Sequence, residues 1–204
     1  MRFLLFLGNI LWLSIAVGGV FYLAQYENTP ADKNVSYPLT FPPESRLGRD
    51  AGRPTLLFFA HPKCPCTRAS LRELERLTAQ VDGRLQAYVV FIKPKGESEE
   101  WMETDLRTKA EAIPNVRVVI DEDERETRIF GAQTSGLTLL YDRDGNLRFD
   151  GGITAARAHE GDNAGSRAIF EIITKDVFKT TETAVFGCPL HKKDCQGGLM
   201  ENTQ

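Results

Sequence analysis

Two thiols flank a proline in HPKCPCTRASLREL, His61 to Leu74, just ahead of an amphipathic pattern. Cys64-Pro65-Cys66 is open to three readings: a redox centre, half of a metal site, or packing. Pro65 suits the first position of a helix, where its missing N–H would be unpaired in any case. Cys64 then caps that helix and faces free backbone N–H groups at the positive end of the helix dipole. Both favour a thiolate, the attacking species in disulfide exchange. Lys63, Arg68 and His61 add positive charge nearby. Cys64 is the candidate nucleophile and Cys66 the candidate resolving thiol.

The four cysteines form two close pairs, Cys64/Cys66 and Cys188/Cys195. The second lies in VFGCPLHKKDC, where Gly187 and Pro189 predict a turn around Cys188. Cys188 is a candidate third redox cysteine that returns to the first pair; pairing with Cys195 as a structural clip is the alternative. A metal reading draws on His61, Cys64, Cys66, Cys188, His191 and Cys195, which offer thiols and imidazoles suited to Zn or Cu(I). Their spacings, Cys-x-Cys and Cys-x-x-His-x-x-x-Cys, match no standard ligand pattern.

These residues need a scaffold. Thr55 to Ala60 (TLLFFA) is a short apolar run expected as a buried strand. The helix after it places Leu71, Leu74, Leu77 and Val81 on one face, with Gly83 positioned to end it. LQAYVVFI predicts a second strand within Arg84 to Lys93. Ser98 to Ile113 carries Met102, Leu106, Ala110 and Ile113 at helical spacing, which assigns Trp101 and Met102 to a packing face. VRVVI, Val116 to Ile120, predicts a third strand, and Glu124 to Phe130 a short helix. Leu137 to Tyr141 and Leu147 to Phe149 flank DRDGN, a hairpin signal. Asp162 or Asn163 is placed to cap a last helix holding Ile169, Ile172, Ile173 and Val177. The order β-α-β-α-β-α-β-β-α predicts an α/β fold in which parallel strands are followed by an antiparallel hairpin.

The chain has 204 residues, enough for one domain with a real core plus extensions. A net charge of -3 and the lack of a basic, aromatic-interleaved stripe exclude a nucleic-acid footprint. Phe3 to Ala24 is uncharged and, at ~1.5 Å per residue, long enough to cross a hydrocarbon core of ~30 Å. Arg2 precedes it, and Glu27 and Asp32 follow. The expected arrangement is a single-pass anchor, residues 1–26, in a bacterial inner membrane with the remainder in the periplasm. A cleaved signal peptide is the rival, but Tyr22 spoils the small-x-small cleavage pattern before Ala24. Residues 27–52, broken by Pro30, Pro38, Pro42 and Pro43, read as an extended linker. The main domain is expected over 53–180 and a cysteine-containing tail over 181–204. DEDERE, Asp121 to Glu126, lacks the spaced ligands of a calcium loop and is expected as a solvated acidic helix start. The glycine-rich stretch from Gly151 has no nucleotide fingerprint. No cofactor is expected.

The stretch Phe58 to Cys66 resembles the active-site segment of thioredoxins, which ends Trp-Cys-x-Pro-Cys. Aligned on Pro65-Cys66, the first cysteine position holds Lys63, and the nucleophile moves to Cys64. TSGLTLLYDRDGNLRFDGGIT resembles the closing hairpin of membrane-anchored thioredoxin-like proteins, with Gly136 where those carry a cis-proline. A closer resemblance is to the RedB-like bacterial proteins, through HPKCPC, TSG, LLYD, GGIT, H-x-GDN and VFGCPL in that order. The resemblance implies a thioredoxin-like fold and protein thiols or disulfides as partners. It also implies that Ser135, Gly136 and the loop from Gly151 to Asn163 surround Cys64. In that loop, His159 is a candidate proton relay and Arg157 a candidate holder of a thiolate or an anionic substrate.

Overall fold

The computed structural model describes residues 2–32 and 35–191. Its first element is a helix, α1 (Arg2–Glu27), whose stretch Leu5–Glu27 is long and apolar enough to cross a membrane. No side chain in the apolar window of that stretch is buried.

Five strands form one sheet: β1 (Thr55–Ala60), β2 (Gln86–Lys93), β3 (Val116–Glu122), β4 (Thr138–Tyr141) and β5 (Leu147–Gly151), in the order β3-β2-β1-β4-β5. β1, β2 and β3 run parallel, while β4 is antiparallel to both β1 and β5. The helices are α2 (Pro65–Val81), α3 (Asp105–Glu111), α4 (Arg125–Ile129) and α5 (Ala164–Lys175). The expected element order is therefore observed. The expected helix from Ser98 to Ile113 is instead a 3-10 turn (Glu99–Met102) followed by α3. Thr104 ends the first piece by accepting the Arg107 N–H and so capping a new helix. At the other end of the site helix, Asp82 is the cap residue at φ +45 and Gly83 follows it, also left-handed, at φ +72.

Every residue of β1 and β2 is buried, so both sheet faces require cover. Alternation sorts the side chains. Leu56, Phe58, Val89 and Phe91 point to one face and pack with Leu71, Leu74 and Leu77 of α2 and Ile169 of α5. Leu57, Phe59, Val90 and Ile92 point to the other, where Phe130 follows α4.

Much of that second face is covered by the segment expected as an extended linker. Within 27–52, Tyr37, Phe41 and Leu47 belong to the second core. Phe41 meets Phe130 and Tyr141 edge-on, at ring separations of 5.3 and 5.2 Å. Phe41 N–H donates to the Gly145 carbonyl and Leu147 N–H to Leu39, each at 2.8 Å. The proline-broken segment is extended, as expected, but it is a packed strap whose apolar residues supply the layer this face lacks.

The acidic run also turns inward. Asp121 is buried; its carboxylate accepts the N–H groups of Glu126 and Thr127, at 2.7 and 2.8 Å, and starts α4. Glu126, also buried, accepts from the Ser45 hydroxyl and the Arg46 N–H and fastens the strap. Glu122 and Asp123 are exposed and the run does start a helix, as expected, whereas Asp121 and Glu126 are buried as a cap and a tie.

A packed strap makes residues outside the main domain part of its stability. Phe41→Ala is expected to lower the unfolding free energy by about 2–3 kcal/mol, the range of a partly buried aromatic truncation. Urea denaturation of the full chain in detergent checks it; a change within about 0.5 kcal/mol is what a loose tether would give.

Candidate functional site

β1 ends at Ala60, and the chain turns through His61 to Lys63 before α2 begins, so the start of α2 lies at the C-terminal end of the parallel strands. Pro65 occupies the first helical turn and Cys64 is the capping residue, in the position the sequence predicts. The three described cysteines, Cys64, Cys66 and Cys188, are free thiols. Cys195 lies outside the described residues, and with it the clip reading.

Cys64 alone of the three is shifted downward. Its thiol is lowered to about 4, chiefly because Cys188 directs its S–H at the sulfur; the Cys188 backbone N–H and the Thr67 hydroxyl and amide act in the same direction against the cost of burial. No full side-chain cap bond closes on Cys64, so the helix start acts through the nearby Thr67 donors together with the tail. Burial and the charge on Cys64 push Cys66 up, while Arg157 opposes them. Cys188 is pushed up because its proton is held by Cys64, and burial adds to this. One thiolate stabilised by neighbouring thiols fits a nucleophile with candidate resolving partners.

The supporting residues divide. Ser135, fully buried, receives the His61 N–H at 2.9 Å and shares a hydroxyl contact of 2.8 Å with Thr67. This ties the turn after β1 to the segment before β4. Gly136 stands beside it at φ +96, a left-handed conformation that suits glycine, and donates its N–H to Phe59 at 2.8 Å. Arg157 donates to the Gly187 carbonyl at 2.7 Å and is the cation that opposes the upward push on Cys66 and Cys188. It also lies over the Tyr26 ring, 5.0 Å from its centroid, and its own N–H bonds the Glu27 carbonyl at 3.0 Å, so the end of α1 reaches the site.

The cations expected from the motif itself are engaged elsewhere. Lys63 sits 3.7 Å over the Trp101 ring, and Arg68 pairs with Asp105 at 2.6 Å. Burial holds the His61 ring below its usual range. Its Nδ1 accepts the Lys63 N–H at 3.1 Å, which places a neutral ring's proton on Nε2. His159 is exposed, and no described contact joins its ring to the thiols. His191 is occupied at some remove: its Nε2 lies 2.9 Å from the Ala132 carbonyl and its Nδ1 3.3 Å from Glu124. Among the described residues no three His, Cys, Asp or Glu side chains converge as a metal site.

The loop bearing Arg157 is held by Glu73, a buried carboxylate on α2. It accepts the Gly161 N–H at 2.8 Å and an Asn163 amide N–H at 3.4 Å, while Asn163 caps α5 through the Ser166 N–H at 2.7 Å. Thr67 and Glu73 were not singled out by the sequence. Thr67 carried a usable signal, a hydroxyl residue in the first turn of a thiol-capped helix.

Three parallel strands with a closing antiparallel hairpin, and a thiol-capped helix at the parallel strands' C-terminal edge, decide the architecture. The fold is thioredoxin-like. No family model matches the sequence, and no curated protein matches it either. Solved structures do. An uncharacterized conserved protein from Geobacillus kaustophilus is 17% identical with a TM-score of 0.57, over 70% of this chain and 79% of that one. A hypothetical protein from Sinorhizobium meliloti 1021 is 19% identical with a TM-score of 0.54, over 69% and 80%. StoA from Bacillus subtilis is 16% identical with a TM-score of 0.45, over 71% and 97%.

Cys64 has a folded value far below that of an unfolded cysteine. Its charge therefore adds stability to the reduced protein that is complete above the unfolded value of ~8.5 and lost as pH falls toward about 4. The ultraviolet thiolate signal of reduced protein is expected to titrate near the lower value, and Thr67→Val should move the midpoint upward. A single transition near the ordinary ~8.5 would contradict the assignment.

Proposed function

We propose that this chain is a membrane-anchored, extracytoplasmic thiol–disulfide oxidoreductase working through its Cys-Pro-Cys centre. The observation that carries the proposal is the convergence of Cys66 and Cys188 on a lowered Cys64 thiol at the start of α2. The RedB-like motifs support the same reading, because HPKCPC, TSG, H-x-GDN and VFGCPL supply residues that border or brace this cluster. α1, with Arg2 ahead of its uncharged stretch and Glu27 at its end, serves as the anchor, with the sheet domain on the periplasmic side.

In the proposed reaction the Cys64 thiolate attacks one sulfur of a client disulfide. The client's other sulfur leaves as a thiolate and takes up a proton. Cys66 then gives up its proton and attacks the Cys64 sulfur of the mixed disulfide, which releases the client's second thiolate. The client gains two electrons and the protein retains a Cys64–Cys66 disulfide; Cys188, on losing its proton, can attack the Cys64 sulfur, which forms a Cys64–Cys188 disulfide and releases Cys66 as a thiolate that takes up a proton. Turnover requires a dithiol donor; with an oxidised centre and a dithiol client, the same steps run in reverse. Arg157 steadies the thiolates of Cys66 and Cys188 as they form. His159 has no step in this scheme.

The test is a set of cysteine variants of the full chain, assayed for exchange with a model protein disulfide. Cys64→Ser is expected to abolish exchange. Cys66→Ser combined with Cys188→Ser is expected to accumulate a Cys64–client mixed disulfide, visible as a mass increase that dithiothreitol removes. His159→Ala is expected to keep the parent rate within about twofold. Equal activity in Cys64→Ser and the parent would sink the proposal.

A further inference from the structure

The expected tail is not free. Residues 181–183 run parallel to β5, where Asp150 N–H bonds the Thr181 carbonyl at 2.9 Å and Thr183 N–H bonds the Asp150 carbonyl at 3.1 Å. It then crosses the start of β4 as an added antiparallel segment. Ser135 N–H donates to the Cys188 carbonyl at 2.9 Å, Leu190 N–H donates to Gln133 at 2.8 Å, and Thr134 and Pro189 face each other between these bonds. Pro189 occupies the position whose N–H the pairing does not use, so its missing donor costs nothing there. With this segment in place, Cys64 is 1% exposed. No client disulfide reaches the sulfur while the tail is seated.

We infer that residues Gly187–Leu190 are an internal occupant of the client-binding edge at Gln133–Gly136, and that a client enters by displacing them with an extended segment that places its own cysteine where Cys188 lies. This inference rests on the exchange activity proposed above. The seated tail then gives the client's pattern. The residue before the cysteine is glycine, because a Cβ at Gly187 would fall 1.8 Å from the Ser135 carbonyl oxygen, an impossible contact against backbone. The residue after the cysteine is unrestricted at its N–H. The next is apolar, since Leu190 is 3% exposed in the second core, and so is the third residue before the cysteine, matching Val185. The partner is therefore a polypeptide with apolar-x-Gly-Cys-x-apolar in extended form, bound by strand addition, in which backbone bonds hold the segment and alternate side chains select it.

The test uses full-length chain in detergent with Cys66, Cys188 and Cys195 all changed to serine, so that Cys64 is the one thiol. The probes are the hexapeptide VFGCPL and the same peptide with valine in place of its glycine, each carrying an aromatic thiol on its cysteine as a mixed disulfide. The Cys64 thiolate attacks the peptide sulfur, a Cys64–peptide disulfide forms, and the coloured aromatic thiolate leaves with the electron pair of the broken bond. With the tail seated, both peptides are expected to react slowly and alike. Adding Gly187→Val, which drives the tail off Ser135, is expected to speed the glycine peptide at least about tenfold and to leave it at least about tenfold ahead of the valine peptide. Leu190→Asp loosens the tail from its other end and should give the same acceleration, which guards against a folding defect in the first variant. Equal rates for the two peptides in both loosened chains overturn the inference. Reaction of the same chains with the small symmetrical aromatic disulfide separates the two claims: if it proceeds while the peptides are not distinguished, exchange stands and the client pattern falls. If Cys64 reacts with neither probe, both fall.

Discussion

A sulfur anion sealed from water survives only if the protein supplies donors in place of solvent. The surroundings of Cys64 are organised around that requirement. Thr67 provides a hydroxyl and an amide from the first turn of α2, and the Cys188 strand provides a second amide and a thiol. Those donors are themselves held. Ser135 bonds Thr67 on one side and the Cys188 carbonyl on the other, and Arg157 grips the carbonyl of Gly187. Removing the tail would both uncover the nucleophile and strip it of donors, so access and reactivity are linked through one short segment.

The same economy of parts governs the fold. A sheet whose central strands are buried on both sides has helices α2 and α5 on one face and little helix on the other. The strap before β1 and the tail after α5 complete the second face, and they meet where Ala31 N–H bonds the Val185 carbonyl at 2.8 Å. Gly151 and Gly152 let the tail pass, since a Cβ at Gly152 would fall 2.6 Å from the Ala184 carbonyl oxygen. The glycine pair is thus a track for chain crossing rather than a ligand loop.

The strands, the helix start and the role of Pro65 were legible because each is local: apolar runs, helical spacing and a proline that suits only the first turn. The convergence of Cys188 on Cys64 was legible as an option, since two cysteine pairs in one chain invite a meeting, but spacing could not choose between a return and a clip. The strap was misread because proline density reports local stiffness and says nothing of what Phe41 and Leu47 touch. Asp121 and Glu126 were misread for a related reason: a run of charges looks solvated until the backbone N–H groups that need capping are placed beside it. Charge near the thiols followed sequence proximity in the reading and spatial proximity in the fold. Lys63 and Arg68 are spent on Trp101 and Asp105, and the cation at the site is Arg157, far along the chain.

The central claim is that Cys64 belongs to a reversible disulfide centre. The most direct measurement is a metal-free redox titration of the full chain in detergent, with thiols trapped at each potential and the disulfides mapped by mass spectrometry. The account predicts a reversible bond from Cys64 to Cys66 or Cys188, with a potential between about -120 and -270 mV, the span of known catalytic pairs. A Cys64 that stays a free thiol across that span, or that oxidises without returning, would contradict it.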